Sequence, residues 1–161
     1  MGLITRWHLI NLPVRFRDRQ NIRLRVENLL ISWPEPVVAG FAVRRHGRAV
    51  FLPWSPGVVV SPYGVIADSI HLLCRRQGGV LRSGEEPVLR WRGTPVDDGG
   101  GQSVGFVRDL VLDEMRRRVA ALMVSRGLLH DVWSGALLVS WEEVQFLADG
   151  RIKWVRGGQT S

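Results

Sequence analysis

Few residues of this 161-residue chain have the types and spacing that could support catalysis. Two pairs of adjacent carboxylates are the candidates for acid–base chemistry, Asp97-Asp98 and Glu142-Glu143. A general acid and a general base must be held across a cleft, whereas the side chains of sequence neighbours can diverge. We interpret both pairs as acids that solvate a loop and a short turn. No serine or cysteine has a histidine and an acid placed to indicate a nucleophilic triad, so the sequence predicts a protein that is not an enzyme.

Metal and phosphate motifs are incomplete. His71 and Cys74 have the spacing of two zinc ligands, but a structural zinc site needs four ligands. The other histidines show no matching spacing. The glycines at 99–101 lack the Gly-Lys-Ser/Thr sequence of a phosphate-binding loop, and we interpret them as a hairpin turn. We expect neither a metal nor a cofactor.

Clustered arginines are the strongest candidate binding feature: Arg15, Arg17, Arg19, Arg23 and Arg25. If two strands form a hairpin here, alternation places these side chains on its outer face. One interpretation is an electrostatic footprint for RNA, a ribosome or an anionic membrane. The other, which we favour because no base-reading motif accompanies the cluster, is a solvated face whose charges discourage edge-to-edge sheet pairing.

The bulk composition is that of a globular protein, with 45% hydrophobic and 23% charged residues and a net charge of +7. Residues 1–74 hold nine arginines and four acids, so the first half carries most of the excess charge. The single cysteine excludes an internal disulfide. The longest apolar run covers seven residues, too short for a membrane span, and Arg6 and His8 interrupt any signal peptide. We expect a cytoplasmic protein without a transmembrane segment.

An internal repeat organises the chain. Four collinear blocks match: residues 26–32 with 107–113, 38–43 with 119–124, 13–14 with 95–96, and 52–54 with 139–141. The first two pairs share an offset of 81, and the last requires six extra residues in the second copy. The chain is therefore predicted to be a duplication.

Both copies have the residue patterns of β-strands. In the first copy we predict an alternating strand at 22–26, strands at 37–45 and 48–53 joined by a tight turn at His46-Gly47, and a closing strand at 70–73. In the second copy we predict strands at 104–113, 118–126, 136–140 and 151–155. Many short strands with turns at this spacing favour closed barrels, which have no exposed edges.

Two groups of apolar residues are candidates for packing. Trp54 and Trp141 occupy equivalent positions of the repeat, so we expect them in the structural core rather than on a nucleic-acid-stacking surface. The six-residue insertion lengthens a loop at 126–135. An exposed apolar loop needs a packing partner, and we expect its Leu128, Leu129 and Trp133 to pack between the two barrels.

Residues 105–113, 118–124 and 139–144 of the second copy contain, in order, a glycine, a Val-x-Asp strand, an acidic turn, an apolar strand and a close of Val-Ser-Trp-Glu-Glu-Val. This order resembles the pattern of the PRC-barrel family, whose close is similar to Pro-Trp-Glu-Asp-Val. The first copy departs from it, since Leu24 replaces the glycine and Asn28 the acid, although it keeps the Leu-Pro-Trp close. The family includes the cytoplasmic domain of the photosynthetic reaction-centre H subunit and the C-terminal domain of a ribosome maturation factor.

The resemblance implies an all-β fold with little helix, built from two tandem small PRC-type β-barrels. We place the first barrel at 1–76, a linker at 77–92 and the second barrel at 93–161. It also implies a non-catalytic binding or adaptor module that docks onto a larger protein assembly through a barrel face or the inter-barrel groove. The alternative is an RNA- or ribosome-associated protein that uses the basic face of the first barrel. A homo-oligomer is compatible with either function.

Overall fold

The computed structural model describes residues 2–32, 35–75, 91–127, 131 and 135–156, together with the backbone of 85–87. Strands dominate these residues, and the predicted all-β fold with little helix is confirmed. Leu128, Leu129 and Trp133 lie outside the described residues, so their packing between the barrels stays a prediction.

The first half of the chain contains eight strands and a short helix. Their bounds are β1 Leu3–Thr5, α1 Arg6–Leu9, β2 Pro13–Phe16, β3 Arg19–Ser32, β4 Val37–Arg45, β5 Arg48–Pro53, β6 Val58–Ser61, β7 Gly64–Ala67 and β8 Cys74–Arg75. A 3₁₀ turn covers Ile70–Leu72. The strand predicted at 70–73 is therefore wrong: Ser69 caps the turn through a hydrogen bond from the His71 N–H, and the more β-branched segment before it forms β6 and β7 instead.

The second half contains seven strands among the described residues. Its bounds are β9 Glu85–Pro87, β10 Pro95–Asp97, β11 Ser103–Asp113, β12 Arg118–Ser125, β13 Leu137–Ser140, β14 Val144–Phe146 and β15 Ile152–Trp154, with a 3₁₀ turn at Trp141–Glu143. Its four predicted strands are confirmed to within one or two residues at each end.

Six strands of each half pair in the same order. The first half runs β5-β4-β3-β2-β7-β6 and the second runs β13-β12-β11-β10-β15-β14. In both, the pairs are antiparallel except for one parallel pair, β2 with β7 and β10 with β15. This shared pairing is what the predicted duplication requires.

The pairing register is also shared. Val26 pairs with Val43 and Val107 with Val124, and each long strand has irregularities at equivalent positions, between Val26 and Asn28 and between Val107 and Asp109. Because a one-residue slip would turn every following side chain to the opposite face, a shared bulge keeps the same positions pointing inward in both halves.

One glycine is required by this geometry. Gly105 has a φ of +153°, and a Cβ there would collide with the carbonyl oxygen of Ser125 on the paired strand β12. The glycine that carries part of the PRC-barrel resemblance thus permits close approach of two backbones. The first half has Leu24 at the equivalent position, so this contact differs between the halves.

The two halves join through strands β4 and β12. The Val38 N–H donates to the Arg117 carbonyl at 2.7 Å, and the Val119 N–H donates to the Pro36 carbonyl at 2.8 Å. The donors are equivalent in the repeat and so are the acceptors, so the junction has local twofold symmetry. Among the described residues the strand path runs from β14 to β6 without closing on itself. Two closed barrels therefore stay a prediction.

Each half contributes one short strand that pairs with the long strand of the other half. β1 pairs with β11, and β9 pairs with β3 at the equivalent register, Leu3 with Asp113 and Glu85 with Ser32. β9 lies within the residues predicted as a linker, and β1 lies within those assigned to the first barrel. The predicted boundaries stay untested, but strands on either side of them hydrogen-bond across the two halves.

Candidate functional site

The structure exposes all five of the predicted arginines but distributes them over separate surfaces. Arg15, Arg17 and Arg23 line a groove of about 330 Å³. Arg19 lines a second cavity. The Nη1 of Arg25 donates to the Asn11 carbonyl oxygen at 2.9 Å, so this arginine also supports the chain before β2.

The first surface, which we call the outer face, is a row of four residues on adjacent strands. The strand registers place Val59 of β6 beside Ile66 of β7, Ile66 beside Arg15 of β2, and Arg15 beside Arg23 of β3. Val59 is 51% exposed and Ile66 39%. The row therefore begins with two exposed apolar side chains and ends with two cations.

The two cations of the outer face have no carboxylate partner among the described residues. Arg15 and Arg23 lie directly opposite each other, and like charges in that position destabilise a strand pair. Nearby Arg17, in contrast, forms an ion pair with Asp68 at 2.9 Å. The outer face is thus a site of unrelieved positive charge next to apolar surface, and an anionic group bound between the two arginines would relieve the repulsion.

The second surface, which we call the basic groove, was not found from the sequence. It is a cavity of about 820 Å³ whose basic lining residues are Arg19, Arg45, Arg48, Arg75, His46 and His71. The rest of its wall is Asn21 and four partly or fully buried apolar side chains, Ile22, Val50, Ile70 and Leu73. None of the described residues that line it is a carboxylate. The sequence signal was the pair of arginines that flank the predicted His46-Gly47 turn.

Strand pairing brings these side chains together. Arg45 and Arg48 pair across the β4–β5 hairpin, and β8 places Arg75 opposite Val50. His46 and Gly47 form the predicted tight turn, with φ values of 50° and 74°. Both central residues have positive φ, as in the common two-residue hairpin turns, and histidine is one of the non-glycine residues found more often in this region.

The turn that carries His71 is anchored to the β2–β3 connection. Asp18 accepts hydrogen bonds from the Ser69 hydroxyl at 2.7 Å and from the Ile70 N–H at 2.9 Å. These bonds, chiefly the one from Ser69, lower the pKa of Asp18 below its ordinary value. Ionised Asp18 therefore holds one wall of the basic groove in position.

The four arginines of the basic groove have no acidic partner among the described residues. Six arginines elsewhere form ion pairs, with the partners Arg6–Asp109, Arg17–Asp68, Arg44–Glu27, Arg108–Asp131, Arg116–Asp113 and Arg151–Asp97. Arg44 and Arg45 are neighbours in β4. Arg44 binds Glu27, whereas the Nε of Arg45 is buried without a hydrogen-bond partner among the described residues.

The second half has a cavity at the equivalent place. Arg126 and Leu137, the counterparts of Arg45 and Val50, line this cavity of about 1000 Å³ together with Lys153 and Arg156. It also contains Asp98, so a carboxylate is present among its cations. The two halves therefore share a framework but not its electrostatic character.

Three of the four carboxylates considered from the sequence, Asp97, Asp98 and Glu143, have structural partners. Arg151 donates to both oxygens of Asp97, at 2.7 and 2.8 Å, which lowers the pKa of Asp97 below its ordinary value. Asp98 accepts two N–H groups of the 99–102 turn, and Glu143 accepts the indole N–H of Trp154. No cluster of three or more histidine, cysteine or acidic side chains occurs in the part of the chain that the structure describes.

Both candidate core tryptophans pack against the hydrophobic core while staying partly exposed. Trp54 lies 5.4 Å from the Phe41 ring, and the Arg117 guanidinium lies over it at 5.6 Å. Trp141 packs with Trp91 and Phe146, with ring centroids 5.8 and 5.5 Å away. These contacts favour the structural interpretation of both residues.

No known family model matches the chain, and a search of curated proteins finds no significant match. Within the described residues, no helix has both the length and the apolar character needed to cross a bilayer. The resemblance to PRC-barrels therefore rests on the sequence motifs alone.

Proposed function

We propose that this protein is a non-catalytic docking module that binds a larger protein assembly through the outer face of its first half. The observation that carries the proposal is the row of Val59, Ile66, Arg15 and Arg23. Exposed apolar side chains beside two unpaired cations suit a partner segment that combines apolar and acidic side chains.

The position of β6 supports a protein as the partner. β6 is the terminal strand of the described sheet and has a strand neighbour on one side only. Its sequence, Val58-Val59-Val60-Ser61, contains none of the charged residues that commonly protect edge strands. An extended partner segment could add to this edge, with its side chains reaching the adjoining outer face.

The resemblance to the PRC-barrel family supports the same class of function, since family members dock onto larger assemblies. Fold-level analogy cannot identify the assembly. The chemistry of the outer face nevertheless defines the partner as a surface segment with acidic and apolar side chains.

A capture experiment with charge-matched variants tests this function. The full chain, the Arg15→Glu/Arg23→Glu variant and the Arg126→Glu/Arg156→Glu control are used to capture partners from native lysate, with and without nuclease. The control has the same change in net charge but alters the second half. Circular dichroism and melting temperature establish that both variants are folded.

The proposal predicts a protein that survives nuclease treatment and is retained by the control but lost by the outer-face variant. Loss of all captured material after nuclease would instead favour the RNA-binding alternative. Equal retention by both variants would contradict a role for the outer face, and equal loss would show that net charge alone governs binding.

A further inference from the structure

The basic groove has a different chemistry from the outer face, and it lies at the end of the β4–β5 hairpin rather than on the sheet face. We propose that it is a binding site for a small ligand that carries several phosphate groups. The proposal is independent of the docking function, because neither Arg15 nor Arg23 lines this cavity.

The first argument is convergence. Four arginines from four different strands line one cavity: Arg19 from β3, Arg45 from β4, Arg48 from β5 and Arg75 from β8. Concentrating four like charges in this way is unfavourable unless an anion is bound. A monovalent carboxylate would match only one of them, whereas a compact oligophosphate presents several charges to all four at once.

The second argument is the missing acids. Six of the fourteen other described arginines have carboxylate partners, whereas Arg19, Arg45, Arg48 and Arg75 have none among the described residues. The equivalent cavity of the second half contains Asp98. The duplication therefore provides an internal comparison: among the described residues, an acid lines the cavity of the second half and none lines that of the first.

The third argument concerns the guanidinium of Arg45. Its Nε is buried without a hydrogen-bond partner in the described chain, and a buried donor left in this state is costly. The residue as a whole is only partly buried and lines the cavity, so the rest of its guanidinium is available to a bound phosphate.

The size and shape of the cavity suit a small ligand. A volume of about 820 Å³ lies within the range of small-molecule pockets, roughly 300–1,000 Å³. Each guanidinium group can bind two oxygens of a phosphate through two parallel N–H donors. The apolar wall formed by Ile22, Val50 and Leu73 leaves room for an uncharged portion of the ligand.

Tripolyphosphate is the probe for the test. Its binding to the full chain is measured by calorimetry at constant ionic strength, and tricarballylate, which carries three carboxylates, serves as the comparison ligand. The Arg48→Gln/Arg75→Gln variant removes two exposed cations of the groove. The Arg126→Gln/Arg156→Gln variant makes the matched change in the equivalent cavity of the second half.

We expect tripolyphosphate to bind the full chain and the second-half control with similar affinity. The Arg48→Gln/Arg75→Gln variant should bind at least about tenfold more weakly, because charge-assisted hydrogen bonds are lost. Arg19→Gln, on another strand, should also weaken binding and keeps the test decisive if the double variant fails to fold. Arg15→Glu/Arg23→Glu should bind tripolyphosphate as the full chain does, which separates this site from the docking function.

Three results would overturn the proposal. Absence of tripolyphosphate binding would overturn it, and so would binding of a short RNA, an oligouridylate, without binding of tripolyphosphate. Equal weakening by the groove variant and the second-half control would show a diffuse charge effect. Equal affinity for tricarballylate would show that the site selects negative charge rather than phosphate.

Discussion

The buried ion pair between Arg6 and Asp109 gives the most specific stability prediction. Arg6 is 7% exposed and Asp109 9%, and their closest charged atoms, Nη1 and Oδ1, lie 3.9 Å apart. The Oδ2 of Asp109 also accepts a hydrogen bond from the Trp7 backbone N–H at 3.0 Å. Because Arg6 follows β1 and Asp109 lies in β11, the pair helps hold the exchanged strand of one half on the other.

Replacing Asp109 with Asn should leave the Trp7 N–H with an acceptor but leave the guanidinium without a counterion. Burial already lowers the pKa of Arg6, with Asp109 opposing that effect. Breaking a buried pair from one side typically costs about 3–5 kcal/mol. The Arg6–Asp109 contact is long and leaves Arg6 Nε and Asp109 Oδ1 without hydrogen bonds, so we expect a loss at the lower end, about 3 kcal/mol.

Urea unfolding of the Asp109→Asn, Arg6→Met and double variants forms a complete cycle. The double variant should recover most of the loss and lie within about 1 kcal/mol of the parent protein, because it leaves no buried charge unpaired. A loss of less than about 1 kcal/mol for Asp109→Asn alone, or additive losses in the double variant, would refute the assignment of this pair as an energetically coupled contact.

Three further predictions test the framework. Gly105→Ala should destabilise the fold by about 2 kcal/mol in urea unfolding through its collision with β12, whereas Gly99→Ala, which meets open space, should be nearly neutral. Trp141→Ala should lower the free energy of unfolding by about 3 kcal/mol, and a variant with unchanged stability would contradict its structural role. Because the Arg151 contact lowers the pKa of folded Asp97, its stabilisation is present above the ordinary value of 3.8 and is lost as pH falls through the folded-state pKa. Acid titration of Asp97→Asn should therefore show a shallower loss of stability below about pH 4 than the parent.

Much of the fold was accessible from the sequence because its signals are local or repetitive. Four matching blocks in the same order in both copies predicted the duplication, and the structure repeats both the strand order and the bulges. Apolar periodicity located the long strands, and the His46-Gly47 dipeptide located a hairpin that forms with positive φ at both residues. The strand at 70–73 was misplaced because a short apolar run does not by itself distinguish a strand from a 3₁₀ turn.

The candidate site was only partly accessible. Sequence clustering identified Arg15 and Arg23, and alternation correctly put them on an exposed face. It also grouped Arg19 with them, whereas the turn before β3 directs Arg19 into the basic groove. Arg75 joins that groove because β8 pairs with β5, a contact between residues far apart in sequence.

The sequence by itself determined the all-β class, the duplication and the excess positive charge of the first half, because composition, periodicity and self-similarity are properties of the chain alone. The tertiary structure decided which arginines share a surface, that β1 and β9 are exchanged between halves, and that the first half holds a cavity whose described lining residues include four arginines and no acid. These features depend on long-range strand pairing. Its register is selected by the combined burial of both strands, so neither segment encodes it alone.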